Sequence, residues 1–330
     1  MASRRDFTRE SLAAGVRAGD RRALARAITL IENSEPLAYD LVRDVYPDTG
    51  GAYAIGITGP PGVGKSSLIS AIVEHVRGQE RSVGVISVDP SSPFSQGALL
   101  GDRIRLSDHF LDPQVFIRSM GTRGHLGGLA ETTLQAMLVL DAAGKELVFL
   151  ETVGAGQGEV EVIGIADTVV LVLMPGSGDS IQALKAGIME IPDVIAVNKM
   201  DHAAAKTMVK EVRSVLSLDK DRAWRPPIVL TEATRGENVP ELWAKIERHR
   251  AFLEAEGLLE AQRRKNLAGE VFAVASARAK AYLERAVADD PELRRLLGEV
   301  QSRKLDPLTA VREILGKVFR LGDEDGTQPS

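Results

Sequence analysis

The chain has 330 residues, 44% of them hydrophobic, a formal net charge of −5 at pH 7 and no cysteine. This length suits one large globular core with appended elements, because single hydrophobic cores usually stop growing near about 250–300 residues. Charges of both signs are interspersed, so no basic stripe predicts binding to nucleic acid or to an anionic membrane surface. The lack of cysteine excludes a disulfide framework, a thiolate metal cluster and a cysteine nucleophile.

The sequence gives no sign of membrane insertion or export. Its longest uncharged apolar stretch, residues 168–175, is far shorter than the roughly 20 residues that a membrane-spanning helix needs. The basic residues at the N-terminus are followed at once by Asp6 and Glu10 instead of an apolar segment. We therefore expect a cytoplasmic protein with no membrane or nucleic-acid partner.

The apolar pattern divides the chain into three predicted regions, 1–48, 49–255 and 256–330. The first carries apolar residues at helical spacing, which predicts an N-terminal helical extension. In the second, short apolar runs alternate with helical segments. This pattern predicts an α/β fold with a mostly parallel central sheet flanked by helices. The predicted strands are 53–58, 82–88, 115–118, 146–150, 168–174, 193–197 and 227–230.

The third region predicts helices, followed by a disordered polar tail from Gly322. Asp290-Pro291 and Asp306-Pro307 each supply an N-cap residue and a proline for the first helical position. The apolar faces of these helices must be buried, either on the core or against a second copy of the chain. We expect a C-terminal dimerisation arm and a homodimer.

Residues 59–66, GPPGVGKS, match the P-loop pattern between a predicted strand and a predicted helix, which makes the central region a P-loop NTPase domain. Glycines let successive backbone N–H groups turn toward phosphate, and the helix N-terminus adds positive potential. We expect Lys65 to reach the β- and γ-phosphates, Ser66 to ligate Mg²⁺ and Ser67 to help hold the α-phosphate. The predicted phosphate-binding residues are Gly59, Gly62, Val63, Gly64, Lys65, Ser66 and Ser67.

A base-recognition motif, Asn198-Lys199-Met200-Asp201, follows the predicted strand 193–197. The Asp201 carboxylate can accept hydrogen bonds from both N1–H and the exocyclic amine of guanine, and adenine lacks this pair of donors. Asn198 should tie this loop to the P-loop, and the stem of Lys199 should pack along the base. Glu232, Ala233 and Thr234 are expected to form the second wall of the base pocket. The two motifs together predict a GTPase that binds GTP and GDP.

Carboxylates after other predicted strands are candidate metal residues. Glu151 ends the strand 146–150 where P-loop proteins present their Walker B acid, and it can reach Mg²⁺ directly or through water. Asp89 closes the strand 82–88 and Asp102 lies in a nearby loop, so both could join the outer sphere of the metal. The alternative for Asp89 is a plain strand-end cap. The predicted metal set is Ser66, Asp89, Asp102 and Glu151.

A glycine-rich loop that begins at Gly154 is a candidate switch region. Gly154 is expected to sense the γ-phosphate, and the loop that it begins could be ordered by nucleotide. Gln157 in this loop is a candidate for orienting the attacking water, with a solvent-facing loop residue as the alternative. This completes a catalytic set of Lys65, Glu151 and Gln157. Residues 175–179 are predicted to form another flexible segment. Arg123 and His125, within residues 121–128, could approach phosphate, but a helix entry or a partner contact is favoured for them.

With these residues in view, the chain resembles the MeaB/ArgK family of P-loop GTPases, which accompany adenosylcobalamin-dependent acyl-CoA mutases. The resemblance is carried by residues 25–32, 59–66, 88–92, 101–102, 151–154, 175–179 and 198–201.

The resemblance implies a G-protein chaperone that uses GTP to gate cofactor loading into a mutase and to protect or reactivate it. It also implies a C-terminal dimerisation arm, metal-associated acids at Asp89, Asp102 and Glu151, and a third switch over 175–185. Residues 118–125 depart from the methylmalonyl-CoA mutase chaperones and are more similar to the segment fused to isobutyryl-CoA mutases. The client could therefore be a methylmalonyl-, isobutyryl- or 2-hydroxyisobutyryl-CoA mutase.

Two other functions remain open from the sequence. A nickel-type metallochaperone GTPase would need clustered histidine or cysteine ligands, whereas this chain has five scattered histidines and no cysteine. A P-loop kinase linked to amino-acid transport would need an acceptor pocket with a catalytic base, and the sequence offers no such arrangement.

Overall fold

The computed structural model describes residues 7–89, 106–121, 128–152, 164–177, 191–218 and 223–319. Contacts divide the chain into two units, Met1–Glu270 and Val271–Ser330. The strands of the described part are β1 (Tyr53–Thr58), β2 (Val83–Asp89), β3 (Val115–Gly121), β4 (Leu147–Thr152), β5 (Thr168–Leu173), β6 (Val194–Val197) and β7 (Ile228–Leu230). All seven correspond to strands that the apolar runs predict.

These strands form one sheet in the order β3-β2-β4-β1-β5-β6-β7. Every neighbouring pair is parallel. All residues of β1, β4 and β5 are buried, as expected of strands with helices on both faces. The predicted α/β fold with a parallel central sheet is therefore confirmed.

The helices in the described ranges are α1 (Arg9–Arg17), α2 (Arg21–Glu32), α3 (Pro36–Val45), α4 (Lys65–Arg77), α5 (Gly128–Ala142), α6 (Ala205–Leu216), α7 (Val239–Ala255), α8 (Leu258–Asp289), α9 (Pro291–Gln301) and α10 (Pro307–Phe319). Helices α4 and α7 share one hydrophobic core with β1. Helix α5 and the three N-terminal helices share a second core with β2 and β4. The predicted N-terminal extension is thus an extra helical layer over one face of the sheet.

A buried ion pair joins this N-terminal layer to the edge strand β3. Arg118 pairs with Glu32 of α2, and its guanidinium also donates to Thr29 Oγ1 at 3.1 Å. Glu32 is 4% exposed, so its charge depends on this partner for compensation. The contact explains how a strand can accommodate arginine in its interior.

The second unit holds the end of α8 together with α9 and α10. Asp290 accepts hydrogen bonds from the backbone of Glu292 and Leu293, and Asp306 caps α10 in the same way. The two predicted N-caps are therefore confirmed. Several large apolar side chains of this unit are exposed, among them Phe272, Leu308 and Val311.

A chain of buried polar groups lies where β1, β5 and β6 begin. Tyr53 Oη is 2.5 Å from Thr168 Oγ1, which lies 2.8 Å from Nδ1 of His249 in α7. Nε2 of the same ring is 3.4 Å from Oδ1 of Asp193. A neutral His249 with its proton on Nε2 fits this chain, since Nδ1 can then accept from Thr168 Oγ1.

Burial makes this histidine a source of pH-dependent stability. It lowers the pKa of His249 to about 4, from an ordinary value of 6.5. Between these two values the unfolded chain binds a proton that the folded chain excludes, so the stabilisation is complete above about pH 6.5 and decreases as the pH falls toward 4. From pH 7.5 to pH 5, His249 should account for about 2 kcal/mol of lost unfolding free energy.

Urea unfolding at pH 7.5 and pH 5 measures this contribution. His249→Gln should lose less stability than the wild type over that interval. His202→Gln, which changes an exposed histidine, is the matched control and should follow the wild type. Equal losses for the wild type and His249→Gln would contradict the assignment.

Candidate functional site

The P-loop connects β1 to α4, and its backbone requires glycine. Gly59 and Gly64 have φ angles of 141° and 96°, which residues with a side chain rarely adopt. A Cβ on Gly59 would lie 2.1 Å from the carbonyl oxygen of Val172, and one on Gly64 would lie 2.5 Å from Nδ2 of Asn198. The glycines of the motif thus allow the loop to pack against β5 and against the base-recognition loop.

The N-terminus of α4 offers its backbone N–H groups to a ligand. Gly64 is the N-cap residue, so no N-cap side chain satisfies the first-turn donors. Lys65 and Ser66 begin the helix, and Ser67 follows in the same turn. Lys65 Nζ donates to the carbonyl oxygens of Gly59 and Pro60 at 2.6 and 3.1 Å. The loop therefore presents an ammonium group and a helix N-terminus to the same space, an arrangement that fits phosphate.

The predicted Walker B acid contacts the P-loop serine. Ser66 Oγ donates to Oε1 of Glu151 at 2.6 Å, and Glu151 is 1% exposed. A serine oxygen that donates its proton to a carboxylate keeps lone pairs for a cation. Oxygen ligands of this kind suit Mg²⁺, which binds proteins through few direct ligands and retains several waters. Glu151 thus contacts the P-loop through the Ser66 hydroxyl, whose oxygen could also ligate a cation.

A second serine, which sequence reasoning missed, completes this contact. Ser87 Oγ of β2 donates to Oε2 of Glu151 at 2.9 Å. Ser87 is a hydroxyl residue that interrupts the apolar run of β2, and it lies directly beside Glu151 in the parallel ladder. The interrupted apolar run was the available signal, but the sequence does not give the register of β2 and β4.

The base-recognition loop is held by the side chain of Asn198, which is 2% exposed. Its Nδ2 donates to the carbonyl oxygen of Val63 in the P-loop at 2.9 Å. Its Oδ1 accepts from Thr231 Oγ1 at 3.2 Å and from the Ala233 backbone at 3.1 Å. One buried amide therefore connects the phosphate loop, the base loop and the segment after β7.

The remaining base residues surround this amide. Lys199 has a φ of 59°, and its Nζ donates to the carbonyl oxygen of Gly62 at 3.2 Å. Asp201 is exposed. Glu232 accepts from Thr234 Oγ1 at 2.7 Å, which fixes the short segment around Ala233. The motifs predicted to bind phosphate and base thus meet at the carboxyl ends of the strands, where ligands bind in open α/β sheets.

Four predicted site residues lie wholly or partly outside the part of the chain that the structure describes. Gly154, Gln157 and Asp102 lie outside the described residues, as do 122–127 and 178–190. Asp89 ends β2, but its side chain is outside the description. In the described ranges, no three histidine or acidic residues cluster as metal ligands, and no helix is long and apolar enough to cross a membrane.

A parallel sheet with a P-loop after β1 and an Asn-Lys-x-Asp loop after β6 is the arrangement of a GTPase of the P-loop class. Comparison with known proteins agrees. A family model described as "Methylmalonyl Co-A mutase-associated GTPase MeaB" matches residues 24–288. The chain belongs to this family, it is a GTPase, and it binds guanine nucleotide.

Individual relatives and a solved structure are similar to this chain over most of its length. A Pyrococcus abyssi protein named as a GTPase is 47% identical, over 91% of this chain and 94% of the relative. The mouse "Methylmalonic aciduria type A homolog, mitochondrial" is 34% identical, over 77% of this chain and 66% of the relative. A crystal structure titled "LAO/AO transport system kinase" superposes with a TM-score of 0.74 at 26% identity, covering 94% of this chain and 98% of that one.

Removal of the P-loop ammonium group tests the phosphate site. Lys65→Ala should weaken GTP binding by at least about tenfold, the loss expected for a hydrogen bond to a charged group. Fluorescence titration with a labelled GTP measures the affinity, and thermal unfolding checks that the variant is folded. Lys210→Ala changes an exposed lysine of α6 and serves as the control. Unchanged GTP affinity in folded Lys65→Ala would refute the assignment.

Proposed function

We propose that the chain is a Mg²⁺-dependent GTPase that acts as a G-protein chaperone of an adenosylcobalamin-dependent acyl-CoA mutase. It gates loading of the cofactor into the mutase and protects or reactivates it. The client is a methylmalonyl-, isobutyryl- or 2-hydroxyisobutyryl-CoA mutase. The observation that carries the proposal is the joined P-loop and base loop in a chain of the mutase-associated family.

Each side chain of the site has a proposed role. The backbone of residues 59–67 binds the phosphates, and Lys65 neutralises the β- and γ-oxygens. Asp201 recognises guanine, Asn198 and Lys199 hold the base loop, and the segment 232–234 closes the pocket. The proximity of Lys199 Nζ to the P-loop and the contact of Asn198 with Val63 support this division of roles.

Magnesium would supply positive charge at the β- and γ-phosphate oxygens. The chain would hold it through Ser66, with Glu151 aligning that hydroxyl from the outer sphere. The 2.6 Å hydrogen bond between these two side chains supports this geometry. Asp89 and Asp102 are proposed outer-sphere acids, Gly154 is the proposed γ-phosphate sensor and Gln157 orients the attacking water.

We also propose that the protein is a cytoplasmic homodimer. The second unit has Phe272, Leu308 and Val311 exposed at 73%, 82% and 51%. A second copy would bury such apolar side chains, and symmetric dimers are the commonest oligomers.

The chaperone function predicts a GTPase that responds to its client. P-loop GTPases can be intrinsically slow until a partner completes the site. Phosphate release from GTP should therefore rise about tenfold or more when the correct one of the three mutases is added. Transfer of adenosylcobalamin into that mutase should require GTP, and Lys65→Ala should abolish both effects.

The same assay discriminates among the alternatives. ATP with candidate amino acids forms a parallel reaction, analysed for phosphorylated product. Formation of a phosphorylated amino acid would support a kinase and contradict the proposal. Absence of both stimulation and complex formation with all three mutases would also contradict it.

A further inference from the structure

The carboxylate of Glu151 is held at both of its oxygens by hydroxyl groups. Ser66 Oγ is 2.6 Å from Oε1 and Ser87 Oγ is 2.9 Å from Oε2. Ser66 belongs to the P-loop, whereas Ser87 lies in β2, one residue before the segment 88–92. The two serines approach the carboxylate from different elements, so they restrict it more than either would alone.

Burial of Ser87 would destabilise the fold unless its hydroxyl group makes a hydrogen bond. Ser87 is 2% exposed, and its neighbours Ile86 and Val88 are fully buried in the core. A buried hydroxyl without a partner loses its hydrogen bonds to water and gains none in the protein, which is why such groups are nearly always hydrogen-bonded. The contact with Glu151 provides this compensation. Alanine differs from serine only by the missing hydroxyl group and could occupy the same place in the strand, so the hydroxyl is the feature of Ser87 that matters here.

The length of the acid explains why a second donor matters. Glutamate has one more rotatable bond than the aspartate usual at this position, so its carboxylate has more conformations to lose when it is fixed. A single donor at Oε1 would still allow the carboxylate plane to rotate. A donor at Oε2 fixes that plane, and with it the direction in which the Ser66 hydroxyl points.

We propose that Ser87 is a positioning residue of the cation site, acting on Ser66 through Glu151. This inference rests on the proposed Mg²⁺ dependence of the GTPase. Ser87 contacts neither nucleotide nor cation in this role. Its loss should therefore weaken use of Mg²⁺ without removing the groups that bind phosphate or guanine.

Serine variants test this role in the full-length protein. Ser87→Ala should raise the Mg²⁺ concentration that gives half-maximal GTP hydrolysis about tenfold, the effect of one lost hydrogen bond to a charged group. Turnover at saturating Mg²⁺ and GDP affinity in EDTA should stay within about twofold of the wild type, because they do not depend on the alignment of Ser66 by Glu151. Ser87→Thr, which keeps the hydroxyl, should restore most of the Mg²⁺ response.

The chain offers a matched control in Ser119. This serine lies on β3 as the direct neighbour of Ser87 and is 8% exposed, one strand further from Glu151. Ser119→Ala should leave the Mg²⁺ response unchanged. Ser87→Cys nearly preserves the side-chain volume with a much weaker donor, so it should behave as Ser87→Ala even if the alanine variant folds poorly.

A double-mutant cycle separates an effect through Glu151 from a general effect on the sheet. In a Glu151→Gln background, Ser87→Ala should add little to the Mg²⁺ requirement, because residues that act through one another are not additive. A full additional tenfold shift there would overturn the inference. So would a wild-type Mg²⁺ response in both Ser87→Ala and Ser87→Cys, or an equal shift in Ser119→Ala.

The outcomes also distinguish this inference from the function on which it rests. A wild-type protein that hydrolyses GTP equally well without divalent cation would overturn the proposed Mg²⁺ dependence, and the role of Ser87 with it. A wild-type protein that depends on Mg²⁺, together with unshifted Ser87 variants, would overturn only the role of Ser87.

Discussion

The nucleotide site depends on one buried amide, that of Asn198. Its Oδ1 accepts hydrogen bonds from Thr231 Oγ1 and from the Ala233 backbone N–H, and its Nδ2 donates to the carbonyl oxygen of Val63 in the P-loop. Each bond contributes only about 0.5–1.5 kcal/mol, but a buried amide left unpaired would cost about 1–3 kcal/mol. The three loops are consequently most stable together. Because each loop begins at the end of a parallel strand, the sheet fixes the distance between the phosphate-binding loop and the base-recognition loop.

The amino ends of the strands lie on the opposite side of the sheet from the nucleotide-binding loops, and their polar groups hydrogen-bond to one another. Arg263 of α8 donates to both carboxylate oxygens of Asp167 at 2.7 Å and to the carbonyl oxygens of Gly50 and Ala52. Asp167 also accepts from the Ala54 backbone at 2.8 Å. These bonds attach the start of α8 to the strands β1 and β5. The buried, hydrogen-bonded side chains of Tyr53, Thr168 and His249 also lie at the amino ends of the strands. The carboxyl ends therefore hold the candidate nucleotide site, whereas the amino ends attach α8 to the sheet.

The sequence predicted the features that depend on local pattern. Buried parallel strands are apolar throughout, which made all seven recognisable, and the P-loop and base motif are short strings with fixed spacing. Features that depend on contacts between distant residues were less predictable. The predicted strand ended at Arg118, whereas β3 continues to Gly121, and Arg118 within it pairs with Glu32 of α2. Ser87 was missed because its hydroxyl contacts Glu151 on the neighbouring strand β4, and a single sequence does not give the register of β2 and β4.

Calorimetric titration of GDP and of ADP into the wild-type protein, both with Mg²⁺, tests the central claim most directly. We expect that GDP binds and that ADP binds at least about 100-fold more weakly, because adenine leaves the carboxylate of Asp201 unpaired. No heat of association with GDP on folded protein, or equal affinity for the two nucleotides, would contradict it.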